Sequence, residues 1–456
     1  MSDTIVLKKE KNSYLFSNHD LKEMFLPLII EQFLNFFVGL VDSIMVAQVG
    51  EYAVSGVSLI DNVMVLLISF FSAMATGGAV IAGQYLGRRD HEQAKHAANQ
   101  LMKVMLLLSI LLMLVLYACR LFILDVLYGN ITGDVRRAAN IYLVVVGASI
   151  PFLGLYHGGA AIFRTMNKPK VTMYVMTAMN IVNIFGNALL VLRYHLGVLG
   201  IAIPTLVSRI GAAVIILILA DQKKNSLCVQ GWLFERFDIT MVRRVFRIGL
   251  PFGFESGLIN LGRLLVLNIV THYSTAAIAA NAAGGTISMM ILIPGSAINL
   301  GLSVVVSRCV GADDYDQTRY YVRKIAKILQ CGLLISAGIV LVAMPLLMKI
   351  YHLSGEATRL TWIIVILYAI FINLLYTPSW AFPVVFRGAG DANFPMAVNI
   401  ISMLLCRIVL AYVFAYGFNL GMMGTWYAMY CDWGLRAVIY LFRYRSGKWT
   451  TYHALR

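Results

Sequence analysis

The feature that most constrains this chain is a succession of apolar runs, each roughly 20 residues long, separated by short polar breaks. At about 1.5 Å of rise per residue, a helical run of that length crosses the ~30 Å hydrocarbon core of a bilayer. Twelve spans are read, at approximately residues 22–48, 55–84, 97–118, 138–163, 169–192, 197–220, 244–272, 276–307, 322–348, 358–386, 394–416 and 421–443. Composition agrees, with 60% hydrophobic residues and 13% charged, against about 25% charged in a soluble domain. The reading is an all-α polytopic membrane protein, and a soluble fold is excluded. The breaks carry turn and charge chemistry, as in Gly87-Arg88-Arg89-Asp90, Asn167-Lys168-Pro169-Lys170 and Gly388-Ala389-Gly390-Asp391.

The net charge of +15 would suit nucleic acid if the basic residues were clustered, but they follow the loops. Of the 37 Lys and Arg, 26 fall in the N-terminal segment, the loops between even and odd spans, and the tail. Six fall in the opposite loops, and Lys103, Arg209, Arg263, Arg407 and Arg436 lie within spans. By the positive-inside rule both termini are expected in the cytoplasm of a bacterial cytoplasmic membrane protein, and the basic balance needs no nucleic-acid partner. The six cysteines form no CxxC pair and no His/Cys cluster, so neither a disulfide framework nor a zinc site is expected. Residues 1–20 are polar and the first apolar run is too long for a cleavable signal.

The chain repeats itself at an offset of 224 residues. Leu26-Pro27 matches Leu250-Pro251, Glu31 matches Glu255, Ala53 matches Ala277, Gly87 matches Gly311, Asp90 matches Asp314 and Lys103 matches Lys327. A one-residue slip aligns Phe163-Arg164 with Phe386-Arg387, and the register returns at Gly197/Gly421 and Gly200/Gly424. Each half is therefore a six-span bundle, and an even number of spans gives both the same topology, with a cavity expected at their interface. The expected organisation is a cytoplasmic segment 1–21, an N-lobe 22–220, a linker 221–243, a C-lobe 244–443 and a cytoplasmic tail 444–456. The linker, with Lys223-Lys224, Arg243-Arg244, Trp232 and Phe234, is expected to lie along the headgroups as an amphipathic segment.

At this point a family resemblance emerges. Pro27 followed by Val41-Asp42-Ser43 and Gly50, then Gly83-Gln84-Tyr85-Leu86-Gly87-Arg88-Arg89-Asp90 after span two, resembles the multidrug and toxic compound extrusion (MATE) family. Phe386-Arg387-Gly388-Ala389-Gly390-Asp391 after span ten and Gly197 to Thr205 opening span six fit the same pattern, and the likeness covers essentially the whole chain. It is closer to the DinF-like than the NorM-like members. The resemblance implies export of organic, often cationic and amphipathic, compounds by a monomeric antiporter working against H⁺ or Na⁺, with no other cofactor.

Acids inside spans are costly, at least ~2.5–3.5 kcal/mol each near the bilayer centre, so Glu31, Asp42, Asp61, Glu255 and Asp432 are candidate functional residues. Asp42 lies eleven residues after Glu31, which at 100° per residue puts both within roughly 20° on one helix face. The resemblance implies a coupling-ion role for Asp42, with Asn183 and Asn187 of span five and Thr205 of span six as its neighbours. Asn187 stands where some members carry a second carboxylate. One carboxylate favours H⁺ over Na⁺ as coupling ion, although the same four residues could form a Na⁺ site from neutral oxygens. For Asn183, Asn187 and Thr205 the alternative is plain interhelical hydrogen bonding.

Glu31 and Glu255 hold equivalent repeat positions one turn past Pro27 and Pro251. They could attract substrate or relay a proton, or could pair with basic residues at the interface. Asp61 is expected near the external opening. Asp432 and Arg436, four apart, are expected to pair, and with Arg263 and Arg407 to form a polar network in the C-lobe, since Glu255 and Asp432 are the only acids read within its spans. Twenty-two Met and 23 each of Phe and Tyr supply adaptable apolar walls, and Tyr142, His157, Tyr376 and Trp380 are candidates to line a cavity.

A runner-up within transport is a flippase for lipid-linked saccharides or another exporter of the same superfamily. Such flippases usually have about fourteen spans and a strongly basic cavity, whereas twelve spans are read here. An intramembrane enzyme is disfavoured because HExxH, GxSxG and a paired-aspartate signature are absent, and a primary pump because GxxxxGK[ST] is absent.

Overall fold

The computed structural model describes residues 14–127, 129, 132–452 and 455. The first thirteen residues, with Lys8, Lys9 and Lys11, and residues 453, 454 and 456 of the expected tail lie outside the described residues. In chain order the main helices are α1 Asn18–Ala47, α2 Glu51–Gly87, α3 His91–Ala118, α4 Gly133–Gly147, α5 Ile150–Thr165, α6 Pro169–Arg193, α7 Leu199–Ala220, α8 Ile239–Val270, α9 Thr275–Gly311, α10 Tyr315–Tyr351, α11 Gly355–Ala389, α12 Asn393–Gly417 and α13 Met423–Arg445. Among the described residues there is no strand.

Ten of these helices are long and apolar enough to cross a bilayer, and α4 with α5 makes one further span bent by 48°. The bend follows from the sequence, because Pro151 sits at the start of α5 and cannot donate to the preceding turn. The twelfth span is α13. It has 23 residues, but Asp432, Arg436, Arg443 and Arg445 dilute its apolarity. Asp432 and Arg436 are nevertheless enclosed, at 0% and 1% exposure.

Repeat symmetry is visible at the turns. Asp90 caps α3 by accepting from the Gln93 amide, and Asp314 caps α10 by accepting from the Gln317 amide. Before each cap, Arg89 and Asp313 take left-handed φ angles of 62° and 57° that end α2 and α9. The start of α1 is fixed by a reciprocal capping box between Ser17 and Asp20.

Two large hydrophobic cores correspond to the two lobes, with the helix starts exchanged between them. Leu21, Met24, Phe25 and Leu28 of α1 belong to the C-lobe core, while Met241, Val242, Val245 and Ile248 of α8 belong to the N-lobe core. The lobes close on each other at the face that carries both chain ends. There Phe16 exchanges backbone hydrogen bonds with the Tyr321 hydroxyl. Small residues permit the approach: Gly77 abuts the Gly249 backbone, Gly87 the Arg308 carbonyl, and Gly311 the Gln84 carbonyl.

The linker leaves Leu233 and Phe234 exposed on its surface. Its chain from Asp221 to Asp238 runs as turns and irregular backbone, with Leu227 and Val229 buried. The Glu235 and Asp238 carboxylates bond the two ring nitrogens of His96, and Lys103 donates to the Glu235 carbonyl. Lys103, read as lying within a span, thus anchors the linker.

Candidate functional site

In the N-lobe the structure brings Asp42, Asn187, Asn183 and Thr205 into one hydrogen-bonded chain across α1, α6 and α7. Asn187 donates to Asp42 at 2.8 Å and to the Asn183 oxygen at 3.2 Å, and Asn183 donates to Thr205 at 3.1 Å. Both asparagines and Thr205 are buried, while Asp42 is half-buried. The four-residue spacing of Asn183 and Asn187 puts them on one helix face, and α6 then widens into π-type turns over Ala188–Arg193. Asp61, an exposed residue, joins the same region: it accepts from the buried Tyr142 hydroxyl at 3.0 Å. Asp42, Asp61 and Arg209 are close enough to interact electrostatically. Arg209 donates to Ser149 at 2.8 Å.

Glu31 and Glu255 form equivalent ion pairs in the two halves. Glu31 lies 3.7 Å from Arg164 and accepts from Thr172 at 2.7 Å. Glu255 receives both its bonds from Arg387 at 3.2 Å and a third from Asn399 at 2.6 Å. The repeat pairs Arg164 with Arg387, so the two contacts are related by the internal symmetry. Both arginines fall just past the apolar runs, which is why they read as loop residues. The helices run on to Thr165 and Ala389 and carry them inside.

The C-lobe network therefore differs from the expected one. Asp432 pairs with Arg436 at 2.8 Å, supported by Ser402 and Asn399. Arg263 and Arg407 stand outside it, because the two acids expected to meet them are engaged by Arg387 and Arg436.

Two cavities adjoin this network. The larger, about 330 Å³, lies between the lobes and is lined by Ser69, Ser72 and Thr76 of α2, by Glu255, Asn260 and Arg263 of α8, and by Tyr376 and Trp380 of α11, among others. The smaller, about 230 Å³, lies within the C-lobe and shares Arg263, Leu292 and Trp380 with the first. Tyr376 and Trp380 thus line a cavity, whereas Tyr142 belongs to the acidic cluster and His157 packs against Tyr156. The indole of Trp380 is set by wide turns over Thr377–Ala381, which no sequence pattern announced. The central chamber joins apolar walls to a dense polar lining that includes Arg164, Arg263 and Arg387 with Glu255 as their one acid, a mixed surface suited to an amphipathic organic molecule.

A bilobed twelve-span bundle with an internal repeat, a central cavity and a carboxylate cluster to one side defines a secondary transporter. The chain belongs to the MatE family: the family's sequence model matches residues 27–189 and again 251–413, the same 224-residue offset. It is 27% identical over 434 residues to the uncharacterized transporter YisQ of Bacillus subtilis, covering 93% of each chain. It is 23% identical to the probable multidrug resistance protein NorM of Thermotoga maritima, over 94% of this chain and 92% of that one. Among solved structures it resembles the outward-facing conformation of a multidrug resistance MATE family transporter, with a TM-score of 0.85, 18% identity and coverage of 95% and 96%.

Proposed function

We propose that the protein is a monomeric antiporter of the bacterial cytoplasmic membrane that exports amphipathic organic compounds in exchange for protons, with Asp42 as the coupling site. One observation carries this reading: a half-buried carboxylate at the end of a hydrogen-bonded chain that crosses three helices of the N-lobe. Asp42 and Asp61 with Arg209 carry one net negative charge when both acids are ionised, so a single proton brings the cluster to neutrality. The nearby guanidinium offsets part of the negative charge that a dehydrated Na⁺ needs. Protonation from outside and release inside would change the charge, and with it the packing of α1 against α6, once per cycle.

The loop charges favour the cytoplasmic side for the closed face and the linker. The conformation is then outward-facing, with the central cavity ready to release its contents. The family resemblance implies substrates that are often cationic, which the acidic N-lobe would suit, and the hydroxyl and aromatic lining of the central cavity would hold their bodies.

The test is efflux of a fluorescent organic substrate from proteoliposomes under imposed ΔpH or ΔNa⁺, one gradient at a time. An inward proton gradient is expected to drive export by the wild type, and Asp42→Asn to lower it about a hundredfold with insertion intact. Robust, Asp42-dependent export under a Na⁺ gradient alone, at zero ΔpH and zero membrane potential, would overturn the proton assignment.

A further inference from the structure

The smaller cavity holds two cations and no free acid. Arg263 and Arg407 both line it, and neither is joined by a hydrogen bond or ion pair to another described residue. The Nε of Arg407 is enclosed without any hydrogen-bond partner. The acids that could have served are taken, Glu255 by Arg387 and Asn399, Asp432 by Arg436. Around the two guanidinium groups stand Tyr368, Trp426 and Trp433, packed edge to face at 5.6–6.3 Å. Two like charges that face one cavity without an acid partner repel each other, and one anion between them relieves both. A guanidinium offers a planar fork of donors that fits a carboxylate, sulfonate or phosphate, and the aromatic rings offer flat apolar surface for the rest of the molecule.

We propose that this C-lobe chamber binds an amphipathic anion, its carboxylate, sulfonate or phosphate held by Arg263 and Arg407 and its aromatic or aliphatic body laid against Tyr368, Trp426 and Trp433. Taking that anion as exported cargo rests on the antiporter reading; the binding itself does not. Because Arg263 and Trp380 also line the central cavity, the anion has a route between the lobes. A soluble organic anion and an anionic lipid share this chemistry.

The test uses the full-length protein in phosphatidylcholine nanodiscs, with no gradient, so its outcome is independent of whether Asp42 couples transport. Trp426 and Trp433 are energy donors to pyrene, and three probes share that body: 1-pyrenesulfonate, 1-pyrenemethylammonium and 1-pyrenemethanol, the last reporting partition into lipid. Pyrenesulfonate is expected to bind at least about tenfold more tightly than the other two, and Arg263→Gln and Arg407→Gln each to remove about that factor, the scale of a charge-assisted bond pair. Arg263→Lys, which keeps the charge but loses the fork, should keep the preference for the sulfonate at lower affinity. Equal affinity for the three probes, or tight sulfonate binding that survives Arg263→Gln, overturns the proposal. Arg407 is the more enclosed of the two, so if Arg407→Gln fails to fold, Arg263→Gln decides alone. Adding phosphatidylglycerol to the discs separates the sources: specific displacement of pyrenesulfonate assigns a lipid, and unchanged binding assigns a soluble anion.

Discussion

The N-lobe and the C-lobe share one topology but invert each other's chemistry at the same place. The 224-residue offset puts Val266, Gly285, Met429 and Trp433 where the N-lobe has Asp42, Asp61, Thr205 and Arg209. All four C-lobe residues line the smaller cavity. In one half the position is filled by a bonded carboxylate cluster, and in the other it is hollow, aromatic and basic. Where both halves kept the same residues, at Glu31–Arg164 and Glu255–Arg387, they kept the same contact. The same register position thus carries acids in one half and a basic, aromatic cavity in the other.

This comparison can be broken most forcefully through the acids. Asp432 belongs to the C-lobe's framework, so Asp432→Asn, which leaves Arg436 buried and unpaired, is expected to cost about 3–5 kcal/mol of stability, read as a fall in thermal unfolding temperature in detergent. Replacing both partners by Leu and Met should restore most of it. Asp42 is expected to behave oppositely. Asp42→Asn should leave the unfolding temperature near that of the wild type and lower gradient-driven export by a factor of about 100, or about 2.7 kcal/mol. Matching stability losses at the two sites would erase the distinction drawn here.

A finer test lies in the symmetric pairs. Glu255 has three close bonds and Glu31 has one, with its arginine at 3.7 Å. Glu255→Gln is therefore expected to destabilise more than Glu31→Gln, by about 1–2 kcal/mol, measured on the same unfolding curves. Equal losses would mean that the geometry of the pair does not matter.

The smallest effect concerns the end of the linker, residues 235–238, which the N-lobe helix α3 holds. The hydrogen bond from His96 keeps the Asp238 carboxyl below its usual range. A group with a depressed folded pKa stabilises above its unfolded value of about 3.9 and loses that contribution as pH falls through the folded value. Amide exchange in residues 230–238 should accelerate on acidification below about pH 4. His96→Gln should flatten that acid limb, and an unchanged profile would show that the bond does not hold the linker.

The spans and the repeat were legible because both are periodic: apolar run length and a constant offset survive without any knowledge of packing. The chain from Asp42 through Asn187 and Asn183 to Thr205 was legible only through the family resemblance, since its members lie up to 163 residues apart. Arg164 and Arg387 were missed as partners of the glutamates because they sit one residue beyond the apolar runs. The alignment of both arginines in the repeat, beside the aligned glutamates, was the signal that could have found them. With Arg387 counted as a loop residue, Glu255 seemed free for Arg263, and the unpaired state of Arg263 and Arg407 could not be foreseen. Tyr142 against Asp61, and the wide turns that set Trp380 and Arg407, leave no local pattern at all, because they are decided by what packs across from them.

The glycines at the closed face carry a consequence for symmetry. Gly87 lies on the carbonyl of Arg308, and Gly311 lies on the carbonyl of Gln84; the repeat makes Gly311 the copy of Gly87 and Arg308 the copy of Gln84. Each half thus touches the other with the same surface, at the same atom, as subunits do across a two-fold axis. A seam of this kind is the geometry two identical six-span halves would make on meeting each other.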